Sequence, residues 1–268
     1  MDVIVHDNQD SDADDKRCRP WDAVSKLNTY ELIGDRERQP SGSSMVLEER
    51  PPFYVTPYSL FLAKRFPKFL PLAEKTVVDF GVGCGIQSVV AAKYGARKVI
   101  GIDIHPEALT LSDRNMRRNG HKSFLAINAE TENWSSPPEK VDYIVSNPSS
   151  LPALYPLEAT YGAGCHGTDM LEKLYGFSYA VLRSSGALMF VHTSLVDLEW
   201  SLGKLRQLGF AVGIVETMPL AFRDFYAPML PHWKELRTQG KAFWFEKNGQ
   251  NYEILYLLKA ERATARKE

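Results

Sequence analysis

Residues Thr76 to Asp103 read TVVDFGVGCGIQSVVAAKYGARKVIGID, and this stretch decides the fold. Thr76-Val77-Val78 is a short apolar, β-branched run, the pattern of a parallel strand covered on both faces. Gly81, Gly83 and Gly85 follow at two-residue spacing. Ile86 to Tyr94 then has helical character, with Gly95 placed to end the helix. Lys98 to Ile102 is a second strand that closes on Asp103. Glycines at a strand-to-helix turn let the backbone pass close to a ligand, and an acid at the next strand end can accept two ribose hydroxyls. The pattern predicts binding of a nucleoside-containing cofactor.

The spacing narrows that expectation. The dinucleotide fingerprint is G-x-G-x-x-G, its third glycine opening the helix over a pyrophosphate. Here the pattern is G-x-G-x-G, and Ile86 stands where the dinucleotide pattern needs its last glycine. Asp79, two residues before Gly81, would repel a pyrophosphate and suit an ammonium. The stretch resembles motif I of class I S-adenosylmethionine-dependent methyltransferases, whose cofactor carries a sulfonium and an α-ammonium and no phosphate. The resemblance implies that Asp79 and Gly81 face the methionine portion and that Gly83 and Gly85 allow close approach. It further implies that Asp103 takes the ribose and Ile104 lies against the adenine. After the third strand, Asn128-Ala129-Glu130 sits where the family has an acid for the adenine amine. Asn128 offers an amide carbonyl in its place, with Ala129 beside it and Glu130 as the alternative.

Outward from this core, strand candidates fall at 76–80, 98–103, 123–127, 141–145, 186–192, 210–217 and 252–259. Seven strands alternating with helices predict an α/β fold, a doubly wound and mostly parallel sheet ending in an antiparallel hairpin. Residues 1–20 are polar and acidic and read as a mobile tail. Residues 21–75 carry helix-like pieces and read as a helical cap or substrate segment. Residues 76–268 form the cofactor domain, with an insertion at 218–250 rich in aromatics. Such a density of rings either packs a core or roofs a pocket.

The chemistry is best located in Val141-Asp142-Tyr143-Ile144-Val145-Ser146-Asn147-Pro148-Ser149-Ser150. This is a buried strand ending in Asn-Pro, at the strand edge where open α/β sheets place ligands. It resembles the Asn-Pro-Pro-Tyr amino-methyltransferases, including the release-factor glutamine methyltransferase group. In that group the Asn side chain and the Pro carbonyl accept the two N–H bonds of the target nitrogen, which aims its lone pair at the methyl group without a strong base. The resemblance therefore implies Asn147 and Pro148 as catalytic, with Asn147 also bordering the cofactor. Ser149-Ser150 replaces Pro-Tyr, so the stacking aromatic is missing, which weighs against a flipped adenine. Tyr155 and Tyr161 are steric substitutes. Tyr161-Gly162-Ala163-Gly164-Cys165-His166-Gly167-Thr168-Asp169 is similar to the glycine-rich segment of the same group, with Thr168 or Asp169 placed to cap the next helix. Tyr58, Ser149, Tyr161 and His166 are the substrate-side candidates, His166 as a proton acceptor.

Composition bounds the partners. The 268 residues carry a net charge of −1, with 44% hydrophobic and 24% charged residues. There is no global basic field for nucleic acid; the cluster Arg114, Arg117 and Arg118 reads as a solvated helix face. Three cysteines suit a reducing compartment, and the chain shows no transmembrane run or signal-peptide pattern, so a cytoplasmic location is expected. His105, His166 and His192 lack metal-ligand spacing, and no metal is expected. The expected function is N-methylation of an amine or amide on a small molecule or protein side chain. Nucleic-acid amino methylation, O-methylation and a binding-only relative are the alternatives. An Arg or Lys clamp within 218–250, for which Arg223 and Lys241 are candidates, would favour a carboxylate.

Overall fold

The computed structural model describes residues 6–7, 26–31, 44–129, 139–154 and 163–262. They divide into two units, Met1–Trp134 and Ser135–Glu268.

The first unit opens with a small antiparallel sheet, β1 (His6–Asp7), β2 (Lys26–Glu31) and β3 (Ser44–Glu49). Residues 21–75 therefore hold strands as well as the helices expected there. The helices are α1 (Pro57–Ala63) and α2 (Phe66–Phe69). α1 starts in a capping box: Thr56 Oγ1 accepts the Ser59 N–H, and Ser59 Oγ accepts the Thr56 N–H. Next come β4 (Thr76–Phe80), α3 (Ile86–Lys93), β5 (Lys98–Asp103), α4 (Pro106–Arg118) and β6 (Phe124–Asn128). β4, β5 and β6 pair in parallel, aligning Asp79 with Gly101 and Asp103 with Asn128. Every residue of β4 is buried, as its unbroken apolar run requires.

α4 is amphipathic. Its buried positions Ala108, Leu111, Ser112, Asn115 and Met116 recur at helical spacing. The same helix covers the free edge of β3 through two asparagines four residues apart. Asn115 Oδ1 accepts the Glu48 N–H at 2.7 Å and its Nδ2 donates to Glu48 O at 2.8 Å. Asn119 repeats this on Val46, at 3.1 and 2.8 Å. The two amides take the place of a neighbouring strand and satisfy an edge that would otherwise be open.

The second unit contains β7 (Val141–Ser146), α5 (Asp169–Val181), β8 (Leu182–Thr193), α6 (Leu198–Gln207) and β9 (Phe210–Ala221). A 3-10 turn over Asp224–Met229, α7 (Leu230–Thr238), β10 (Phe245–Lys247) and β11 (Gln250–Arg262) complete it. β7 and β8 are parallel across the α5 crossover, while β11 runs antiparallel to β8, β9 and β10. The seven anticipated strands are all present, and the hairpin end is as expected. The insertion adds the short β10 and buries its rings: Tyr226, Trp233 and Trp244 pack with Met229, Leu236, Leu151 and Leu195. Its aromatics form a core, although Phe225 and Phe243 remain exposed. Among the described residues no helix is long and apolar enough to cross a membrane.

Candidate active site

The glycine turn between β4 and α3 is built from positive-φ backbone, with Gly81, Gly83 and Gly85 at φ 74°, 51° and 82°. Side-chain-bearing residues rarely adopt that region, which is why glycine recurs here. A Cβ on Gly81 or Gly83 would meet nothing within 4 Å, so these two positions front open space that a ligand can enter. Gly85 has a different reason: a Cβ there would lie 2.9 Å from Ser112 Cβ on α4, so it permits close packing. The turn is anchored on β5, with Gly81 N and Val82 N donating to Ile102 O. Asn115 Nδ2 holds it from the other side by donating to Cys84 O at 2.9 Å.

Asp103 closes β5 with its carboxylate turned to the glycine turn. Oδ2 accepts the Gly83 N–H at 3.1 Å and Oδ1 accepts the His105 N–H at 3.0 Å. Burial pushes its carboxyl above the usual carboxylate range, against the opposing pull of those two N–H groups. Ile104 beside it is 37% exposed, enough apolar surface to receive a planar ring. Asn128 and Ala129 are half-buried at the end of β6, and Ala129 N donates to Asp103 O at 2.9 Å.

Asp79 lies deeper than its place in the motif suggested. It is 1% exposed, and Oδ2 accepts from Ser88 N at 2.9 Å and from Ser88 Oγ at 2.7 Å. Burial pushes its carboxyl up to about 8, partly offset by the Ser88 bonds and reinforced by the Asp103 charge. Ser88 carried no sequence signal of its own, since a serine in an apolar helix reads as filler. Asn115 did carry one, as an amide on the buried stripe of an amphipathic helix. Tyr58 is 7% exposed within α1, a core position.

In the second unit, Asn147 is half-buried and Pro148 buried directly after β7. Ser149 is half-buried and Ser150 buried. The glycine-rich segment folds onto this strand end. Ala153 N donates to Gly164 O at 3.0 Å, and Gly167, at φ 72°, leaves no room for a Cβ, which would stand 2.3 Å from Ser150 O. The structure thus joins two motifs that lie apart in sequence. Thr168 is the N-cap residue of α5 but makes no side-chain cap bond. His166 is exposed. Tyr155, Tyr161 and Glu130 lie outside the described residues.

Other candidates resolve into structural roles. Glu48 binds the guanidinium groups of Arg50, Arg114 and Arg118, and Asp113 binds Arg117. Each arginine of the cluster is thereby held by a carboxylate, two carboxylates serving four guanidinium groups. Arg223 donates to Tyr226 Oη at 2.8 Å and lies over the Phe225 ring, while Tyr226 Oη donates to the fully buried Glu253 at 2.7 Å. His192 is fully buried against Ser201 Oγ at 2.8 Å, and burial lowers it to about 4.

The family profile "Ribosomal protein L11 methyltransferase (PrmA)" matches residues 64–149. A provisionally named protein N5-glutamine methyltransferase of Methanocaldococcus jannaschii is 29% identical over 158 residues, 56% of this chain and 78% of that one. A ribosomal protein L11 methyltransferase of Alteromonas mediterranea is 39% identical over 143 residues, 52% of this chain and 48% of that one. The chain thus spans only about half the length of the latter relative. Among solved structures, a provisionally named RNA methyltransferase of Pyrococcus horikoshii superposes with a TM-score of 0.51 at 17% identity, covering 79% of this chain and 87% of that one. A provisionally named methyltransferase in complex with S-adenosylhomocysteine superposes at 0.55 and 13% identity, covering 91% and 57%. These likenesses establish the fold, a mostly parallel sheet flanked by helices of the Rossmann-like methyltransferase type. A glycine turn open at Gly81 and Gly83 and a carboxylate at Asp103 fit an adenosyl sulfonium ligand, and in these features the chain is similar to S-adenosyl-L-methionine-dependent methyltransferases.

Proposed function

We propose that this enzyme methylates a side-chain amide or amine nitrogen of a protein. The observation that carries the reading is the Asn147-Pro148 pair at the carboxyl end of β7. An amide nitrogen has almost no basicity, so its lone pair must be aimed rather than generated. In this reading the Asn147 side-chain carbonyl and the Pro148 backbone carbonyl accept the two N–H bonds of the acceptor. Gly81 faces the methionine portion of the cofactor with Asp79 buried behind the turn, Gly83 allows close approach, Gly85 seats the turn on α4, and Asp103 holds the ribose. Ile104, Asn128 and Ala129 hold the adenine. When bound, the cofactor supplies an electrophilic methyl group. The acceptor nitrogen gains one bond to carbon and loses one proton, for which the exposed His166 is the candidate acceptor. Ser149 completes the acceptor side. Support comes also from the relatives, one named for N5-glutamine and one for ribosomal protein L11.

A net charge of −1, and the engagement of Arg114 and Arg118 by Glu48 and of Arg117 by Asp113, weigh against a nucleic-acid acceptor. The test is to incubate the protein with methyl-labelled cofactor and a lysate separated into protein, nucleic-acid and small-molecule fractions. Label on protein that resists mild base, as N-methyl groups do and methyl esters do not, is the expected result. Label confined to nucleic acid or small molecules would overturn the reading.

A further inference from the structure

The second unit contains a cleft that the roles above touch only at His166. It is lined by His166, Thr168, Asp197, Trp200, Leu236 and Lys241, and its volume is about 120 Å³. Pockets for drug-sized ligands span roughly 300–1,000 Å³, so this smaller space suits the end of one side chain.

Each wall is held by a helix end. His166 and Thr168 flank Gly167, which is seated against Ser150, three residues beyond Asn147. Asp197 is the N-cap of α6 and accepts the Trp200 N–H at 2.9 Å. Lys241 and Leu236 are joined by the turn that ends α7. Gly240, at φ 72°, donates to Arg237 O at 3.0 Å, and Lys241 N donates to Leu236 O at 2.9 Å. This is the Schellman pattern, which fixes the residue after the glycine against the last helical turn. The chain beyond it is pinned in turn, with Phe243 N donating to Ser194 O and Ser194 Oγ to Phe243 O.

Charge selects the occupant. The Asp197 carboxylate is engaged at the positive end of α6. Glu172 of α5 is bound by Lys204 at 3.4 Å. Lys241 is half-buried, and among the described residues it has no ion pair. Lys241 thus shares the cleft with Trp200 and Leu236, bordered by the N-terminal ends of α5 and α6, whose dipoles favour an anion. Lys241 is the one cation among the residues that line the cleft, and Arg223, the other candidate named above, is engaged by Tyr226 and Phe225.

We propose that this cleft is a substrate subsite that binds the carboxylate of an acidic side chain near the methylated residue, with Lys241 as the specificity-determining cation. The proposal rests on the reading of a protein acceptor for its place in the reaction, but binding at the cleft can be tested without turnover.

In the first arm, the full chain is titrated with N-acetyl-glutamate and with N-acetyl-glutamine while the Trp200 indole N–H is followed by NMR, assigned with Trp200→Phe. The acidic probe is expected to shift that signal, Lys241→Arg to retain the shift, and Lys241→Ala to weaken binding roughly tenfold, as loss of one charge-assisted contact implies. No shift, or equal shifts with both probes, overturns the subsite. In the second arm, kcat/KM is compared for glutamine-containing peptides that differ only by a flanking Glu or Gln. A preference for Glu that collapses towards one in Lys241→Ala and inverts towards a flanking Lys in Lys241→Glu supports the subsite. Peptides methylated without preference overturn it. Binding of the acidic probe with no peptide methylated supports the subsite and refutes the protein-acceptor reading instead.

Discussion

Asp103 reaches back across the strand end to the glycine turn: its Oδ2 accepts the Gly83 N–H at 3.1 Å while Oδ1 accepts the His105 N–H at 3.0 Å. One carboxylate therefore shapes the turn and stands ready for two hydroxyl donors. Asp103→Ala is expected to weaken S-adenosylhomocysteine binding, measured by calorimetry, by about 10- to 150-fold, the range for losing a hydrogen bond to a charged group of about 1.5–3 kcal/mol. Unchanged affinity in a folded variant would remove Asp103 from the ribose.

The glycines of the turn are expected to fail differently. Gly85→Ala combines φ 82° with a Cβ placed 2.9 Å from Ser112, so it should cost about 1–3 kcal/mol of stability. Gly83→Ala faces open space and should cost less in thermal unfolding but more in cofactor affinity. Parallel melting and binding curves for the two variants check this, and identical profiles would argue against the division.

Asp79 sets a pH dependence of the unliganded protein. Its carboxyl is raised by burial from 3.8 to about 8. A raised acid favours the folded state while protonated, so its contribution is full below about pH 4 and is lost as pH rises through 8. Asp79→Asn should remove this component. Denaturant unfolding from pH 5 to 8 should then lose stability less steeply with rising pH in the variant than in the parent, by up to one proton. Matching slopes would show that Asp79 is ionised throughout.

Asn147→Ala should separate binding from chemistry. With cofactor affinity retained within about threefold, turnover should drop by about 100-fold or more, the cost of misaligning a reacting atom. Asn147→Asp keeps one carbonyl-like acceptor and should recover part of the rate. Full activity in Asn147→Ala would end the orienting role.

Much of this site was legible because it is local. Glycine spacing, the apolar run before it and the acid after it lie within one strand-turn-helix-strand unit, so backbone sterics and strand polarity suffice to read them. The helix-like reading of 21–75 captured α1 and α2 and missed β2 and β3. The edge of β3 is covered by Asn115 and Asn119, roughly 70 residues away in sequence, which no window over the strands contains.

What the sequence by itself determined is the α/β order of strands, the cofactor turn and the Asn-Pro strand end, each encoded in residues that are neighbours along the chain. Only the tertiary structure decided which polar groups are spoken for. It gave Asp79 to Ser88, Arg114 and Arg118 to Glu48, and Arg223 to Tyr226, and left Lys241 unpaired among the described residues beside a cleft. The physical reason is that a charge acts through its distance to others and through its loss of water, and both are set by packing between segments far apart in the chain.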